Sequence, residues 1–134
     1  MARIVLISCA KKKIKHEAKA KDLYDSLLFK LSGGYAQTLN PDKIFILSAK
    51  YHLLDPEKVV GPYDKTLNEM NAEERREWGA EVLRQLSKEA NLENDKFIIL
   101  AGKRYLEPIR DKIAQKEEPL KGLRIGERIS RLKK

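Results

Sequence analysis

The stretch RIVLISCAKKK, residues 3–13, joins an unbroken apolar run to small residues and then to three lysines. The same order of apolar run, small residues and lysine recurs in KIFILSAK, residues 43–50, and in KFIILAGK, residues 96–103. None of these runs alternates polar with apolar residues, which is typical of strands that are covered on both faces. The pattern therefore predicts a parallel sheet between helix layers, with strands at Arg3–Ile7, Lys43–Leu47 and Lys96–Leu100.

Apolar residues at helical spacing fill the segments between these strands. Leu28, Leu31, Tyr35 and Leu39 predict a first helix, although Gly33-Gly34 weakens it by about 1 kcal/mol per glycine relative to alanine. The clearest helix follows Asn71, which is a favoured N-cap, with Glu74 at the third position of a capping box. Its predicted apolar stripe consists of Trp78, Val82, Leu86 and Ala90.

Two more helices are predicted after the third strand. Ile109 and Ile113 continue the helical pattern, and Pro108 is expected in a first turn, where proline is tolerated. In the last helix one face carries apolar residues and another carries arginines. The apolar members are Ile125, Ile129 and Leu132, and the arginines are Arg124, Arg128 and Arg131.

Strands therefore alternate with helices along the chain, and the loops between them are short. This order predicts an α/β fold, a three-layer sandwich with a short parallel sheet and right-handed connections. No linker or internal repeat is found, so residues 1–134 are expected to form a single domain.

The composition of the chain is that of a globular protein, with 42% hydrophobic and 36% charged residues. No apolar run approaches the roughly 20 residues needed to cross a bilayer, and no signal-like segment is present. We therefore expect a cytoplasmic protein with no membrane partner, and a monomer in preference to an oligomer. Abundant Lys and Glu with few Met and Cys also suggest a thermophilic source.

Cysteine and histidine are scarce. Cys9 is the single cysteine, so no internal disulfide can form, and His16 and His52 are the only histidines. This set is too small for a structural zinc site, and no spacing points to a catalytic metal. We expect neither a metal nor a cofactor.

The net charge of +8 is concentrated at the two ends of the chain. Residues 1–21 carry seven basic residues and one acidic residue, and residues 119–134 carry six and one. The intervening residues 22–118 have 15 basic and 18 acidic residues. A polyanionic partner is the functional interpretation of this asymmetry, and a solubilising surface is the structural alternative.

The three small-residue and lysine endings are expected to meet at one edge of the sheet. In open parallel sheets, ligands bind in the crevice beyond the carboxyl ends of the strands. Small residues leave room for a ligand, and lysines with helix N-termini favour phosphate. No Walker A sequence, no Gly-x-Gly-x-x-Gly and no Gly-x-Ser-x-Gly accompanies them, so ATP, NAD and serine-hydrolase chemistry in familiar modes is not expected.

The motifs at these loops resemble a small bacterial and archaeal family, often labelled YaaA-like, that opens with a strand and Ser-Cys-Ser-Lys-Lys-Lys. The matching segments are Ser8–Lys13, Asp22–Tyr24, Ser48–Pro56 with Pro62–Asp64, and Gly122–Gly126. The sequence departs from the family at Ala10, which replaces a serine, and at His52, which replaces a glycine. The resemblance implies a uracil-DNA-glycosylase-like fold and a role on nucleic acid, DNA in preference to RNA.

The resemblance also implies roles for single residues. A base-excising enzyme must bind phosphates, stack a base and stabilise a cationic sugar. The catalytic candidates are Asp64, His52 and Cys9. The candidates for phosphate or nucleic-acid binding are Ser8, Lys11, Lys12, Lys13, Ser48, Lys50, Lys103, Arg124 and Arg128. The candidates for base stacking are Tyr24, Tyr51 and Tyr63.

Most of these residues also have a structural interpretation. Tyr24 could belong to the core, Tyr63 could anchor a turn, and Asp64 could cap a loop. His52 could be a packing histidine, and Cys9 could be an inert thiol or a nucleophile activated by neighbouring lysines. Three functions therefore stay open: a DNA-glycosylase-type enzyme, a non-catalytic DNA- or RNA-binding protector, and an enzyme acting on a free nucleoside or nucleotide.

Overall fold

The computed structural model describes residues 1–133 and contains seven strands and five α-helices in that part of the chain. The strands are β1 (Arg3–Ser8), β2 (Ala18–Lys19), β3 (Lys43–Ser48), β4 (His52–Leu54), β5 (Val59–Val60), β6 (Lys96–Leu100) and β7 (Gln115–Glu117). The helices are α1 (Ala20–Leu23), α2 (Leu27–Thr38), α3 (Ala72–Glu89), α4 (Lys103–Arg110) and α5 (Ile125–Leu132).

Five of the strands form one sheet in the order β4-β3-β1-β6-β7. The three predicted strands are its parallel centre, and β1 and β3 each extend one residue beyond the prediction, to Ser8 and Ser48. The prediction of a purely parallel sheet is wrong, because β4 pairs antiparallel with β3, placing His52 opposite Ser48. The chain turns back directly after β3, and His52 accommodates this turn with a positive φ of 65°.

Side chains of the central strands point alternately into two cores, which makes the fold three-layered. On one face Ile4 and Leu6 of β1 pack with α3 and α4. On the other face Val5 and Ile7 pack with α1, α2 and α5. The helix layers thus cover both faces of the central strands, which explains why these strands are uniformly apolar.

The two helices that the sequence predicts best are confirmed. Helix α2 runs through Gly33 and Gly34, and a Cβ atom at either glycine would meet nothing within 4 Å. At the start of α3, Asn71 accepts a hydrogen bond from the Glu74 amide, and the Glu74 carboxylate accepts one from the Asn71 amide. This reciprocal capping box satisfies two amides that the helix itself leaves without partners.

The position of Pro108 differs from the prediction. Helix α4 begins at Lys103, so Pro108 lies inside the helix and not in its first turn. Proline cannot donate the hydrogen bond of the helix interior. The helix ends at Arg110, two residues later.

Helix α5 differs from the prediction in its apolar face. Leu132 is buried, but Ile125 is 66% exposed, so the expected apolar stripe does not continue to the start of the helix. The arginine face is present, and it is uneven, because Arg124 is almost fully exposed whereas Arg128 is half-buried.

Several short elements have no apolar periodicity and were not predicted. Strands β2 and β5 form a separate two-stranded ribbon, and β7 (sequence QKE) is a polar edge strand held by pairing with β6. Backbone pairing with an existing strand stabilises such segments, so their own sequences need no strand pattern. Within residues 1–133, no helix is long and apolar enough to span a membrane.

Candidate functional site

The carboxyl ends of β1 and β6 form the switch point of the sheet. These strands are neighbours, yet the next long helix after β1, α2, lies on one face of the sheet, whereas α4, which follows β6, lies on the other. Helices that leave on opposite faces open a crevice between the two strand ends, which is where open α/β sheets bind ligands.

A pocket of about 140 Å³ lies in this crevice, and we call it the switch-point pocket. It is lined by Ser8, Cys9, Ala10, Ser26, Leu28, Phe29, Ser32, Leu100, Ala101, Gly102, Leu120 and Arg128. Two of the three small-residue endings therefore reach it, from β1 and from β6. The ending of β3, Ser48-Ala49-Lys50, does not line it.

Three serines give the pocket its hydroxyl groups. Ser26 is the N-cap of α2 and accepts a hydrogen bond from the Phe29 amide at 3.2 Å. Ser32 is only 2% exposed, and none of the side-chain hydrogen bonds within residues 1–133 involves its hydroxyl. Its oxygen is not sealed inside the core, because Ser32 lines the pocket. Ser8 was predicted from the sequence, but Ser26 and Ser32 were not.

Arg128 is the one ionised side chain in the lining of the switch-point pocket. Its Nε donates to the Leu123 carbonyl oxygen at 2.9 Å, which fixes the guanidinium group. Its terminal nitrogens form no ion pair or hydrogen bond with the described residues, and one lies 3.6 Å from where a Cβ of Gly102 would be. Arg128 was predicted as a phosphate ligand, and its position in the pocket is consistent with that role.

A second depression, of about 270 Å³, adjoins the pocket and shares Ala101 and Arg128 with it. It adds three cationic side chains, from Lys103, Arg110 and Lys121, and the carboxylate of Glu118. The Arg110 guanidinium donates to the Glu118 carboxylate at 3.2 Å. Lys103 is largely exposed, and its ammonium nitrogen forms only a long ion pair, of 3.9 Å, with the Glu107 carboxylate. We call this second depression the basic groove, and Arg128 lines both it and the pocket.

The remaining predicted cations lie on the surface. Lys11 and Lys50 are exposed, and Lys12 is exposed with a long 3.6 Å ion pair to Asp25. Arg124 is 93% exposed and pairs with Glu127, outside the lining of the pocket. Lys11 and Lys12 follow Ala10 directly, so they lie at the rim of the pocket and not within it.

Tyr24, Tyr63 and Ser48 form a chain of hydroxyl groups. The Tyr24 and Tyr63 hydroxyls are 2.8 Å apart, and that of Tyr63 is 2.9 Å from Ser48 Oγ. Ser48 Oγ also accepts a hydrogen bond from the Tyr51 amide, and the Ser48 carbonyl oxygen accepts one from the Trp78 indole. Burial raises the pKa of Tyr24 to about 12 and that of Tyr63 still further, so both stay protonated at neutral pH.

This chain corrects two of the predicted roles. Ser48 is fully buried and bonded within the protein, so it has no access to a phosphate. Tyr24 is 1% exposed and packs against Phe29 and Tyr63, so it offers no free face on which a base could stack. Both residues instead tie the end of β3 to the neighbouring loops.

Lys13 lies over one face of the half-buried Tyr63 ring. Its ammonium nitrogen lies 4.1 Å from the Tyr63 ring centre and donates to the Lys11 carbonyl oxygen. Burial lowers the pKa of Lys13, while the negative charge of Asp64 opposes that change. Lys13 therefore is not a freely exposed phosphate ligand, and one face of Tyr63 is occupied. Tyr51 is half-buried and meets Tyr63 edge-on.

Cys9 is half-buried and lines the pocket with its thiol held by a neighbour. Its Sγ donates to the Tyr105 hydroxyl at 3.3 Å, and its amide donates to the Leu47 carbonyl oxygen. Burial raises the pKa of Tyr105, which keeps this hydroxyl protonated and able to accept the thiol hydrogen. Tyr105 was not predicted, although its place two residues after Lys103 was a possible signal.

His52 and Asp64 lie apart from the lining of the pocket. Burial lowers the pKa of His52, and the groups that act on its charge are Glu81 of α3, which opposes that shift, and Lys65. The imidazole therefore belongs to the α3 side of the sheet. Asp64 is exposed on the loop after Tyr63, with Lys13 as a charged neighbour. Within the described residues, no three His, Cys, Asp or Glu side chains are grouped to hold a metal ion.

A larger depression, of about 430 Å³, lies at the opposite edge of the sheet. Its lining includes the first residues of β3 and the carboxylates of Asp42, Asp55, Glu57 and Glu89. An acidic lining repels phosphate, so we place the candidate site at the switch point despite the smaller volume there.

Comparison with known proteins adds the family of the chain. No curated protein and no solved structure matches it significantly. The model of a family of unknown function, DUF6884, matches residues 4–134 and thus nearly the whole sequence. The chain therefore belongs to the family DUF6884.

Proposed function

We propose that this protein acts on nucleic acid and excises a damaged or modified base in the manner of a DNA glycosylase. The observation that carries the proposal is the switch-point pocket, which lies at the strand ends and shares Ala101 and Arg128 with the basic groove. A substrate with a polyanionic backbone would follow the basic groove and the rim lysines, which would hold the target nucleotide at the mouth of the crevice.

The motifs of the YaaA-like family support this proposal by resemblance. Ser8–Lys13 provides one wall of the pocket and its rim, and Gly122 belongs to the lining of the basic groove. A uracil-DNA-glycosylase-like fold would also use the carboxyl ends of its strands. The left-handed backbone of His52 supports the resemblance further, because a glycine stands at this position in the family and favours that conformation.

Asp64 is the carboxylate that the family resemblance singles out for the chemistry, and it lies outside the lining of the switch-point pocket. In excision the bond between C1′ and the base nitrogen breaks, its electrons leave with the base, and the base takes up a proton. Water then adds its oxygen to C1′ and releases a proton. An exposed carboxylate beside Lys13 could stabilise the cationic sugar or orient that water.

The direct test is an assay for abasic sites on labelled oligonucleotides that carry uracil, hypoxanthine, oxidised or alkylated bases. We expect product from at least one substrate, and a loss of about 10²-fold or more in rate for Asp64→Asn. Asp111→Asn is a matched control, because Asp111 is an exposed carboxylate at the end of α4 and lies outside the motifs. Product at an unchanged rate with Asp64→Asn would remove Asp64 from the reaction.

A second candidate function is binding without catalysis, as in a protector of nucleic acid. Its support is that Tyr24 is buried and Tyr63 is covered by Lys13, which leaves few aromatic faces for an extruded base. Tight oligonucleotide binding with no abasic product from any substrate would favour this function over excision.

Salt dependence tests whether a polymer is bound at all. Each phosphate contact with a lysine should add about 0.9 to the slope of log affinity against log salt concentration. Lys11 lies at the rim of the pocket, so Lys11→Gln should remove one phosphate contact and reduce the magnitude of that slope by about 0.9. Lys88→Gln is the control, because Lys88 lies far from the pocket. It is in the last turn of α3, and its neighbour Glu89 pairs with Lys43 at the start of β3, which is the end of the strand opposite to the candidate site. A flat salt dependence would contradict both polymer functions.

A further inference from the structure

We propose that the switch-point pocket is a phosphate subsite, in which Ser32, Ser26, Arg128 and the N-termini of α2 and α4 bind one phosphate group of a nucleotide. The proposal rests on the proposed function in one respect, namely that the phosphate group belongs to a nucleotide. It assigns a binding role to Ser26 and Ser32, which no motif of the sequence indicated.

The first support is the hydroxyl of Ser32. A polar side chain that is only 2% exposed normally has a hydrogen-bond partner. The Ser32 hydroxyl, however, takes part in no side-chain hydrogen bond within residues 1–133. The residue lines the pocket, so a ligand there can accept a hydrogen bond from it. Ser26 can donate as well, because its oxygen accepts from the Phe29 amide while its own proton stays free.

The second support is the positive end of two helices. The pocket is bordered by the first residues of α2, which has 12 residues, and by the N-cap of α4, which has eight. Gly102, the N-cap of α4, has no side chain with which to cap that helix, so the first amides of α4 keep their donors. Helix N-termini of this kind attract phosphate through their amides and their dipoles.

The third support is the charge of the lining. Arg128 has terminal nitrogens that are free among the described residues, and no carboxylate lines the pocket to compete for them. The guanidinium group is already held by its bond to Leu123, so little further ordering is needed when an anion binds. Ser26, Ser32 and Arg128 can therefore each donate a hydrogen bond to an anion in the pocket.

The fourth support is the size of the pocket. The pocket has a volume of about 140 Å³. It is smaller than the roughly 300–1,000 Å³ of pockets that enclose drug-sized ligands. A phosphate group with its four oxygens suits this space, and the rest of the nucleotide would extend along the basic groove through Arg128, which lines both.

The proposal is tested by titrating the ¹⁵N-labelled full chain with inorganic phosphate, thymidine and thymidine 5′-monophosphate. We expect the amide resonances of Ser32, Gly102 and Lys103 to shift with both phosphate compounds, and the monophosphate to bind at least tenfold more tightly than thymidine. Equal affinity for thymidine and its monophosphate would overturn the subsite.

Variants then assign the binding to named groups. Ser32→Ala and Arg128→Gln should each weaken binding of the monophosphate about tenfold or more, as expected for hydrogen bonds to a charged group. Arg131→Gln removes the same charge from an exposed position of the same helix and should change the affinity less than twofold. Equal affinities of the Arg128 and Arg131 variants would overturn the role of Arg128. Ser32→Ala is a small change that preserves the fold, and it tests the pocket independently.

Oligonucleotides with and without a 5′-phosphate identify the source of the phosphate. Tighter binding of the phosphorylated strand would assign the subsite to a strand end, whereas a preference for the free monophosphate would assign it to a nucleotide. Both results support the subsite. Base release without any preference for phosphate compounds would contradict the phosphate subsite but still support base excision. Phosphate binding without base release would support the subsite but contradict base excision.

Discussion

Gly79 of α3 lies against Pro108 of α4, so closely that a Cβ atom added to Gly79 would be 2.5 Å from the Pro108 Cβ and 2.7 Å from its carbonyl oxygen. Both contacts are shorter than real Cβ atoms tolerate, and one of them involves backbone. The close approach of the two helices on this face of the sheet therefore requires glycine at position 79. It also brings the proline of α4 into the helix interface.

This contact predicts that Gly79→Ala is destabilising, although alanine is the better helix former. We expect the free energy of unfolding to fall by about 1–3 kcal/mol, the usual effect of overpacking. The measurement is urea denaturation followed by circular dichroism. Gly34→Ala is the matched control in α2, where a Cβ has open space, and it should raise stability by up to about 1 kcal/mol. A stabilised Gly79→Ala variant would show that the helices are not in this contact.

A second prediction concerns the left-handed backbone of His52, with φ of 65°. Residues with a Cβ are disfavoured there by about 1–2 kcal/mol, and glycine is not. His52→Gly should therefore be more stable than His52→Ala by about 1 kcal/mol, measured by the same denaturation.

The order should reverse at an ordinary helical position. Glu77, exposed in α3, provides this control, because Glu77→Ala should be more stable than Glu77→Gly by about 1 kcal/mol. An alanine variant of His52 that is as stable as the glycine variant would contradict the left-handed turn.

A third prediction concerns stability at alkaline pH. Burial raises the pKa of Tyr24 to about 12, whereas a tyrosine in the unfolded chain titrates near 10. Between these values the unfolded chain binds fewer protons than the folded one, so stability falls as pH rises. The contribution is fully present below pH 10 and declines by up to about 1.4 kcal/mol per pH unit above it.

Tyr24→Phe should reduce this alkaline loss, at the expense of about 1 kcal/mol at neutral pH for the lost hydrogen bond to Tyr63. Denaturation curves at pH 8, 10 and 11.5 measure both effects. An unchanged pH dependence of Tyr24→Phe would mean that the Tyr24 hydroxyl is not buried in this way.

The elements predicted correctly are those whose own sequence carries a strong local signal. The three apolar runs become the central strands, and Asn71 with Glu74 starts α3 as expected. Strands β4 and β7 were missed because they are held by pairing with a neighbour. Ile125 was misassigned because helical spacing indicates which residues share a face, but not how far the packing partner extends.

The candidate site divides in the same way. Ser8 and Cys9 were singled out from a motif and Arg128 from the arginine face of the last helix, and all three line the pocket. Ser48 and Tyr24 were singled out by the same resemblance, yet they are buried in the chain of hydroxyl groups. A motif identifies positions near a site, but it does not say which side chains point toward solvent.

The sequence by itself determined the layers of the fold and the end of the sheet at which the candidate site lies, because uniform apolar runs require cover on both faces and small residues mark where each strand ends. Only the tertiary structure decided which strand ends meet at the pocket. The strand order places β1 between β3 and β6, and α2 and α4 leave on opposite faces. That arrangement brings Ser32 and Arg128, 96 residues apart, to one pocket, and no local pattern encodes such a distant contact.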